Sequence, residues 1–215
     1  MLLGKDEARK AIDILFREYE DAHYYLNFST PLELLVAAIL SAQTRDQVVN
    51  SITPSLFKRF RSAEDYANST KGELLKYIKS VTFAERKAEQ IIKACRIILE
   101  KHKGKVPDNM NDLLELPGIG RKTANTILIN AFGKVEGIPV DTWVIKLSYR
   151  IGLSDKKDPE EIEKDLMNLL DKKYWEKVAY VLKAHGHKVC QSLMPICSKC
   201  VINSICPKNG VKKSK

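Results

Sequence analysis

Long apolar runs and strand-like stretches are both missing from this sequence. No apolar run reaches the roughly 20 residues that a transmembrane helix needs, which argues against a membrane protein. Residues 1–10 lack the layout of a secretory signal peptide, so we expect an intracellular, cytoplasmic protein. The alternation of apolar and polar residues that is typical of half-buried strands is nearly absent, which argues against a β-rich fold. No internal repeat, low-complexity segment or flexible linker divides the chain.

Acidic side chains are outnumbered by basic ones. The chain has 36 Lys and Arg against 27 Asp and Glu, which gives a net charge of +9. With 44% hydrophobic and 29% charged residues, its 215 residues have a globular composition and suffice for one domain or two small ones. The positive excess favours a polyanionic partner such as nucleic acid. Four lysines of this excess lie in 208–215, where no helical pattern continues, and we expect that tail to be disordered.

Helix signals recur along the whole chain and predict an all-α protein. Apolar residues at helical spacing run through 5–20 and 84–101. Cys95 lies on the apolar side of the second stretch, where we expect a buried core thiol. Capping residues and first-turn prolines indicate where other helices begin. We expect helices to start at Thr30-Pro31, Thr53-Pro54, Ser62 and Thr70, and later helices over 110–116, 142–151, 159–170 and 174–189.

A turn with two glycines joins the helix predicted over 110–116 to a helix that Gly133 ends, so the segment is a helix-hairpin-helix. Gly118 and Gly120 lack the Cβ that would keep a nucleic-acid backbone away, and the free N–H groups at the helix start suit a phosphate. A Gly-x-Gly turn alone is more typical of a tight helix connection. Lys122 changes this interpretation, because the helix dipole disfavours a cation in the first turn. The lysine is either a phosphate clamp or a partly neutral amine kept for chemistry.

Four of the five cysteines lie close together near the end of the chain, in the pattern Cys190-x6-Cys197-x2-Cys200-x5-Cys206. In a reducing cytosol such a group is more often a metal site than a disulfide framework. Only the middle gap has the form found in zinc ribbons, and the spacing also departs from the ferredoxin patterns. The spacing alone therefore leaves structural zinc and an iron–sulfur cluster open.

Taken together, these stretches resemble the endonuclease III family of DNA glycosylase/AP lyases in the helix-hairpin-helix superfamily. The resemblance covers about 31–206 and depends on four pieces. Residues 116–125 (LPGIGRKTAN) match the family's hairpin and nucleophile, and 140–142 (VDT) match its catalytic aspartate. Residues 190–206 match its [4Fe-4S] loop, and 41–44 (SAQT) match the segment that pushes a glutamine into DNA. Their combination in this order is highly specific.

The resemblance implies two α-helical lobes. A helical-barrel lobe over 24–134 would carry the hairpin, and a discontinuous iron–sulfur cluster lobe would consist of 1–23 and 135–215. Double-stranded DNA with a damaged base or abasic site would lie in the groove between them, with Lys122 on one wall and Asp141 on the other. The chain would act as a monomer.

The resemblance also implies a bifunctional enzyme of base excision repair that removes oxidised pyrimidines. Lys122 would attack C1′ of the flipped nucleotide, form a Schiff base and cleave the strand by β-elimination. Asp141 would stabilise the charge that develops on the sugar, besides serving as a helix N-cap. A [4Fe-4S] cluster on the four cysteines would hold a loop against DNA phosphates. The resemblance assigns DNA contacts to Gln43, Phe83, Gly118, Gly120 and Arg121, and a place in the base pocket to Asp46 and Trp143.

Two features depart from the family pattern. The family commonly has a histidine where this chain has Trp143, and the loop before Asp141 is about one residue longer. The first departure bears on damage preference, because pocket shape sets base choice. One alternative is therefore a monofunctional mismatch glycosylase for thymine, uracil or adenine, although such relatives generally lack the lysine. Another is a non-catalytic DNA-binding module with structural zinc, which would be colourless and independent of Lys122.

Overall fold

The computed structural model describes all 215 residues and contains helices, turns and loops but no β-strand, which confirms the all-α prediction. The chain forms two compact units. We call Tyr25–Lys134 the hairpin unit, and Met1–Tyr24 together with Val135–Lys215 the cysteine unit. None of the helices is both long and apolar enough to cross a membrane.

Eleven α-helices make up most of the chain, and two single 3-10 turns lie at Lys172–Tyr174 and Cys197–Lys199. Seven of the helices, α2 to α8, belong to the hairpin unit. In chain order they are α1 (Lys5–Glu18), α2 (Pro31–Ser41), α3 (Asp46–Arg59), α4 (Ala63–Ala67), α5 (Lys71–Ile78), α6 (Ala84–His102), α7 (Met110–Leu114), α8 (Arg121–Phe132), α9 (Thr142–Ile151), α10 (Pro159–Leu169) and α11 (Val178–Lys188).

Most helices begin where their capping residues predict. The Thr30 side chain accepts a hydrogen bond from the backbone N–H of Glu33, and capping boxes at Ser62 and Thr70 start α4 and α5. The start predicted at Thr53-Pro54 is wrong, because α3 runs through Pro54 without a break. Its buried residues lie at helical spacing on both sides of the proline, so burial of one continuous face outweighs the hydrogen bond that the proline cannot donate.

The core of the hairpin unit is built around α2, in which every residue from Leu34 to Leu40 is buried. Helices α3, α6 and α8 pack against it. Helix α6 turns an apolar face inward that includes Ile91, Cys95 and Ile98, all fully buried. Burial raises the pKa of the Cys95 thiol to about 12. The prediction of a core thiol is confirmed.

The core of the cysteine unit joins residues from both ends of the chain. Helix α1 packs against α10 and α11, and α9 packs against the same two helices. The last helix begins at Val178, later than predicted, because the 3-10 turn and the Trp175 indole N–H bonded to the Leu170 carbonyl precede it. The expected disorder of 208–215 is also wrong. The Lys215 N–H donates to the Pro195 carbonyl, and its own carbonyl accepts from Ser198.

The proline inside α3 generates a stability prediction. Pro54 is exposed, and its ring replaces the N–H that would donate to the carbonyl of Asn50. We expect Pro54→Ala to raise the free energy of unfolding by about 1–3 kcal/mol, measured by urea denaturation. The neighbouring exposed substitution Ser55→Ala is the control and should change it by less than about 1 kcal/mol. Destabilisation by Pro54→Ala would show that the ring shapes α3 rather than weakening it.

Candidate active site

The hairpin turn packs against the core of the hairpin unit on one side and leaves open space on the other. Leu116 and Ile119 are buried and fix the turn to the core of the hairpin unit. Gly118 has a φ of +89°, and a Cβ there would lie 3.2 Å from Cδ of Gln90, so this position requires glycine. Gly120 is the N-cap of α8, and a Cβ there would meet nothing within 4 Å. The turn therefore leaves open space directly at the start of α8.

The N-terminus of α8 has neither a side-chain cap nor an acidic residue in its first turn. The helices α4, α5 and α10, in contrast, combine a capping side chain with first-turn acids. Unpaired N–H groups and the helix dipole make such an end attractive to anions. Arg121 and Lys122 are the first two residues of α8, so cationic side chains stand where the dipole is also positive.

Lys122 lies on the first turn of α8, as the sequence pattern predicts, and its side chain is exposed. Its backbone carbonyl accepts a hydrogen bond of 2.9 Å from the Thr126 hydroxyl, which holds the first turn together. Because the amine is exposed, removal of water from it requires a ligand that covers it.

Asp141 is the N-cap of α9, which confirms that part of the prediction. Its Oδ1 accepts hydrogen bonds from the backbone N–H groups of Trp143 and Val144, both at 2.9 Å. Asp141 thus has one carboxylate oxygen held in place by the start of α9.

Gln43 and Phe83 share an uncommon backbone conformation. Their φ angles are 54° and 57°, in the left-handed region that side chains other than glycine seldom adopt. Both side chains are exposed, and that of Phe83 is 60% exposed. A hydrogen bond of 3.1 Å from the Thr82 N–H to the Thr44 hydroxyl joins the two turns that carry them. The structure thus brings together two residues that are 40 positions apart in the sequence. Asp46, at the start of α3, is half-buried in the same unit.

Trp143 is held against α11 of the cysteine unit. A Cβ added at Gly186 would lie 2.3 Å from the indole Cε3, so the ring fills the space above that glycine. The His187 ring lies 4.7 Å from the indole ring between centroids, and Lys146 Nζ lies 5.5 Å above it. The indole at position 143, where the resemblance led us to expect a histidine, is thus packed in place.

The four C-terminal cysteines line one pocket in the cysteine unit. Burial raises the thiol pKa values of Cys190, Cys200 and Cys206, the last to about 11. Four cysteines around one pocket are a donor set that either a tetrahedral zinc or an iron–sulfur cluster uses.

Two buried residues organise this pocket. The Arg150 guanidinium donates to the carbonyls of Cys190, Gln191 and Ser192 at 2.7–3.0 Å and lies 3.5 Å from the Cys190 sulfur. His185 Nδ1 lies 3.0 Å from the Tyr19 hydroxyl, and its Nε2 lies 3.6 Å from the Cys200 sulfur. Burial lowers the pKa of His185 to about 4, so the ring is neutral. Arg150 could not be recognised from the sequence, since an arginine in the last turn of a helix is common on surfaces.

Comparison with known proteins identifies the class. Residues 36–172 match the family model described as HhH-GPD superfamily base excision DNA repair protein, and the chain belongs to this superfamily. It is similar to Endonuclease III of Synechocystis sp., with 43% identity over 96% of this chain and 94% of the relative. Endonuclease III of Bacillus subtilis is 37% identical over 100% of this chain and 97% of its own length.

A solved structure of a trapped Endonuclease III–DNA covalent intermediate has the same fold. Its TM-score is 0.92 at 36% sequence identity, and the match covers 96% of this chain and 97% of that chain. The resemblance to the endonuclease III family that the sequence motifs indicated is therefore confirmed.

The contact between Trp143 and Gly186 generates a second stability prediction. Gly186→Ala places a methyl group inside the indole ring and should lower the free energy of unfolding by about 1–3 kcal/mol. Gly72→Ala is the matched control, because a Cβ there meets nothing and should raise that free energy by about 0.5–1 kcal/mol. Adding Trp143→His to Gly186→Ala should restore part of the loss. A neutral Gly186→Ala, measured by urea denaturation, would contradict the packing described for Trp143.

Proposed function

We propose that this chain is a bifunctional DNA glycosylase and AP lyase of base excision repair, which removes oxidised pyrimidines from double-stranded DNA and cleaves the strand at the resulting abasic site. The observation that carries the proposal is the exposed Lys122 on the first turn of an uncapped helix, directly after an open glycine turn. The helix dipole disfavours a cation at this end, and α8, unlike α5, whose first residue is also a lysine, has no capping side chain or first-turn acid to offset that cost.

Lys122 serves as the nucleophile. Its neutral amine attacks C1′ of the flipped nucleotide, the bond from C1′ to the base breaks, and the base leaves with the bonding electron pair. The ammonium formed on attack loses one proton, the bond from C1′ to the ring oxygen O4′ then breaks as O4′ takes up a proton, and the nitrogen lone pair forms the C1′=N bond of a protonated Schiff base. Removal of a proton from C2′ then expels the 3′ phosphate by β-elimination. The N-terminal end of α8 and the neighbouring Arg121 disfavour a protonated Lys122, and bound DNA excludes water from it.

Asp141 supplies the negative charge for this reaction. Its Oδ1 is held by two backbone N–H groups, and its Oδ2 is the oxygen proposed to face the sugar. A fixed carboxylate stabilises the positive charge that grows on the sugar as the base departs, as in glycoside hydrolysis. The same oxygen can accept the proton that Lys122 loses.

The other predicted residues contact the DNA. The open turn at Gly118 and Gly120 receives a backbone phosphate next to Arg121. Gln43 and Phe83 fill the space that the flipped nucleotide leaves, for which their exposure suits them. The protein acts as a monomer inside the cell. Asp46 and Trp143 line the base pocket.

The four C-terminal cysteines are proposed to hold a [4Fe-4S] cluster, for which their arrangement around one pocket is suited. When bound, the cluster supplies a rigid covalent anchor for 190–206 and no step of the reaction. Arg150 holds the backbone of the same loop through three carbonyls. Lys199 and Lys208 supply cations there for DNA phosphates.

Trp143 supports a second candidate, a monofunctional mismatch glycosylase, because its packed indole gives a base pocket a different shape from the family's histidine. A monofunctional glycosylase, however, would give Lys122 no role in the reaction.

Borohydride trapping on a duplex with one oxidised pyrimidine tests the reaction. Borohydride reduces a Schiff base to a stable adduct, so the native chain should form an adduct on denaturing gels and Lys122→Ala should form none. Lys93→Ala, an exposed lysine on α6, is the control and should react as the native chain does. Base release without an adduct in the native chain would favour the monofunctional candidate.

A second variant distinguishes the helix-capping role of Asp141 from the role of its charge in the reaction. Asp141→Asn keeps a good N-cap, so the free energy of unfolding should change by less than about 1 kcal/mol. Base release should nevertheless fall by about 100-fold or more. Unchanged base release would restrict Asp141 to its helix cap.

Metal analysis tests the cofactor. The purified chain should contain about four iron and four sulfide per molecule, with broad visible absorption, and Cys197→Ala should lose both. Cys95→Ala is the control, because that thiol is buried in the hairpin unit and should leave the iron content unchanged. A colourless chain that contains only zinc would contradict the cluster.

A further inference from the structure

Two exposed turns of the hairpin unit hold side chains in a strained backbone conformation. A left-handed φ is unfavourable for a residue such as Phe83 and persists only where the surroundings enforce it. Gln43 and Phe83 both have this conformation, and both side chains are exposed. Neither side chain is buried, so contacts made by other residues must hold the two turns in this conformation.

The side chain of Lys87 makes these contacts. It lies on the inward face of α6, one turn after Phe83, and is only 3% exposed. Its ammonium donates to the carbonyls of Leu40 and Ala42 at 2.8 and 2.6 Å and to the Thr44 hydroxyl at 3.0 Å. All three ammonium donors are thus used on the segment that contains Gln43.

Lys87 is a buried cation without a carboxylate partner, because none of the ion pairs of the chain includes it. The C-terminal end of α2, where carbonyls remain unpaired and the dipole is negative, replaces that partner. Burial lowers the pKa of Lys87 to about 8, while the three acceptors favour the charged form.

Thr44 links this arrangement to the second turn. Its hydroxyl oxygen accepts from Lys87 Nζ and also from the backbone N–H of Thr82, the residue before Phe83. The backbone N–H of Lys87 donates to the Phe83 carbonyl at 3.0 Å. One lysine and one threonine therefore connect both turns through hydrogen bonds on each side.

We infer that Lys87, together with Thr44, is a positioning residue that locks the Gln43 and Phe83 turns into one rigid edge for insertion into the DNA duplex. Lys87 contacts no nucleotide and acts only through these two turns. The inference rests on the proposed function, since it requires that the two side chains enter DNA. A cation is suited to this place because one ammonium satisfies three acceptors that an apolar side chain would leave unpaired.

The test compares a step that needs insertion with one that does not. Single-turnover base release from a paired duplex requires the base to be extruded, whereas adduct formation with an abasic site in single-stranded DNA does not. Lys87→Met removes the three donors at similar length, and Thr44→Val removes the link between the turns with little change in shape. We expect both variants to slow base release from the duplex by about 10- to 100-fold. Adduct formation on the single strand should change by less than about threefold.

Ile98→Val controls for stability, since it lies on the same buried face of α6 far from both turns and should slow neither step. Thr44→Val keeps the test decisive if Lys87→Met does not fold. If both variants slow the two steps equally, Lys87 and Thr44 only stabilise the fold and the inference is overturned. If both variants release base from the duplex at the native rate, the inference is overturned as well. A native chain that neither releases base nor forms the adduct would overturn the proposed function and the inference with it.

Discussion

Unpaired backbone groups at helix ends are the constraint on which this structure depends. Eleven helices leave many N–H and C=O groups without intrahelical partners, and six of the eleven N-termini are closed by a capping side chain. Thr30, Ser62, Thr70, Asp141 and Asp158 close N-termini, and the Lys87 ammonium closes the C-terminal end of α2. The N-terminus of α8 is left open, with cations in its first turn. The same physical requirement therefore stabilises the fold at the closed ends and leaves the start of α8 open for the phosphate contact proposed above.

The two candidate catalytic residues use this requirement in opposite ways. Asp141 satisfies the start of α9 with one oxygen, so the charge that a reaction needs also contributes to folding. Lys122 is a cation in the first turn of α8, where the dipole disfavours it. Such a cost is expected at a functional site and not in a surface chosen for stability.

Local signals made much of the fold predictable. Helix caps, first-turn prolines and apolar spacing lie within a few residues of the element that they define, and they located Thr30, Ser62 and Asp141 correctly as caps. The continuation of α3 through Pro54 was not predictable, because the burial that outweighs the proline depends on residues from other helices. The same holds for the tail, which is fixed by hydrogen bonds to distant backbone.

The residues that support the site could not be predicted from the sequence, because their contacts also lie far away along the chain. Lys87 bonds to a carbonyl 47 positions earlier in the chain, and Arg150 bonds to carbonyls about 40 positions later. A lysine on an apolar helix face was a usable signal in the first case, since charged side chains are seldom buried without a partner. The contact of Trp143 with Gly186 gave no such signal, because a glycine within a helix indicates only a weak helix former.

The discontinuity of the cysteine unit has a consequence for biosynthesis. The hairpin unit is one continuous segment and can fold as soon as Lys134 has left the ribosome. Helix α1 is made first, yet its packing partners α10 and α11 are made last, after the hairpin unit. At about 5–20 residues per second, the apolar face of this helix waits on the order of 10 s or more for its core. The cysteines are translated later still, so the pocket that they line is completed only when the rest of the chain has been made.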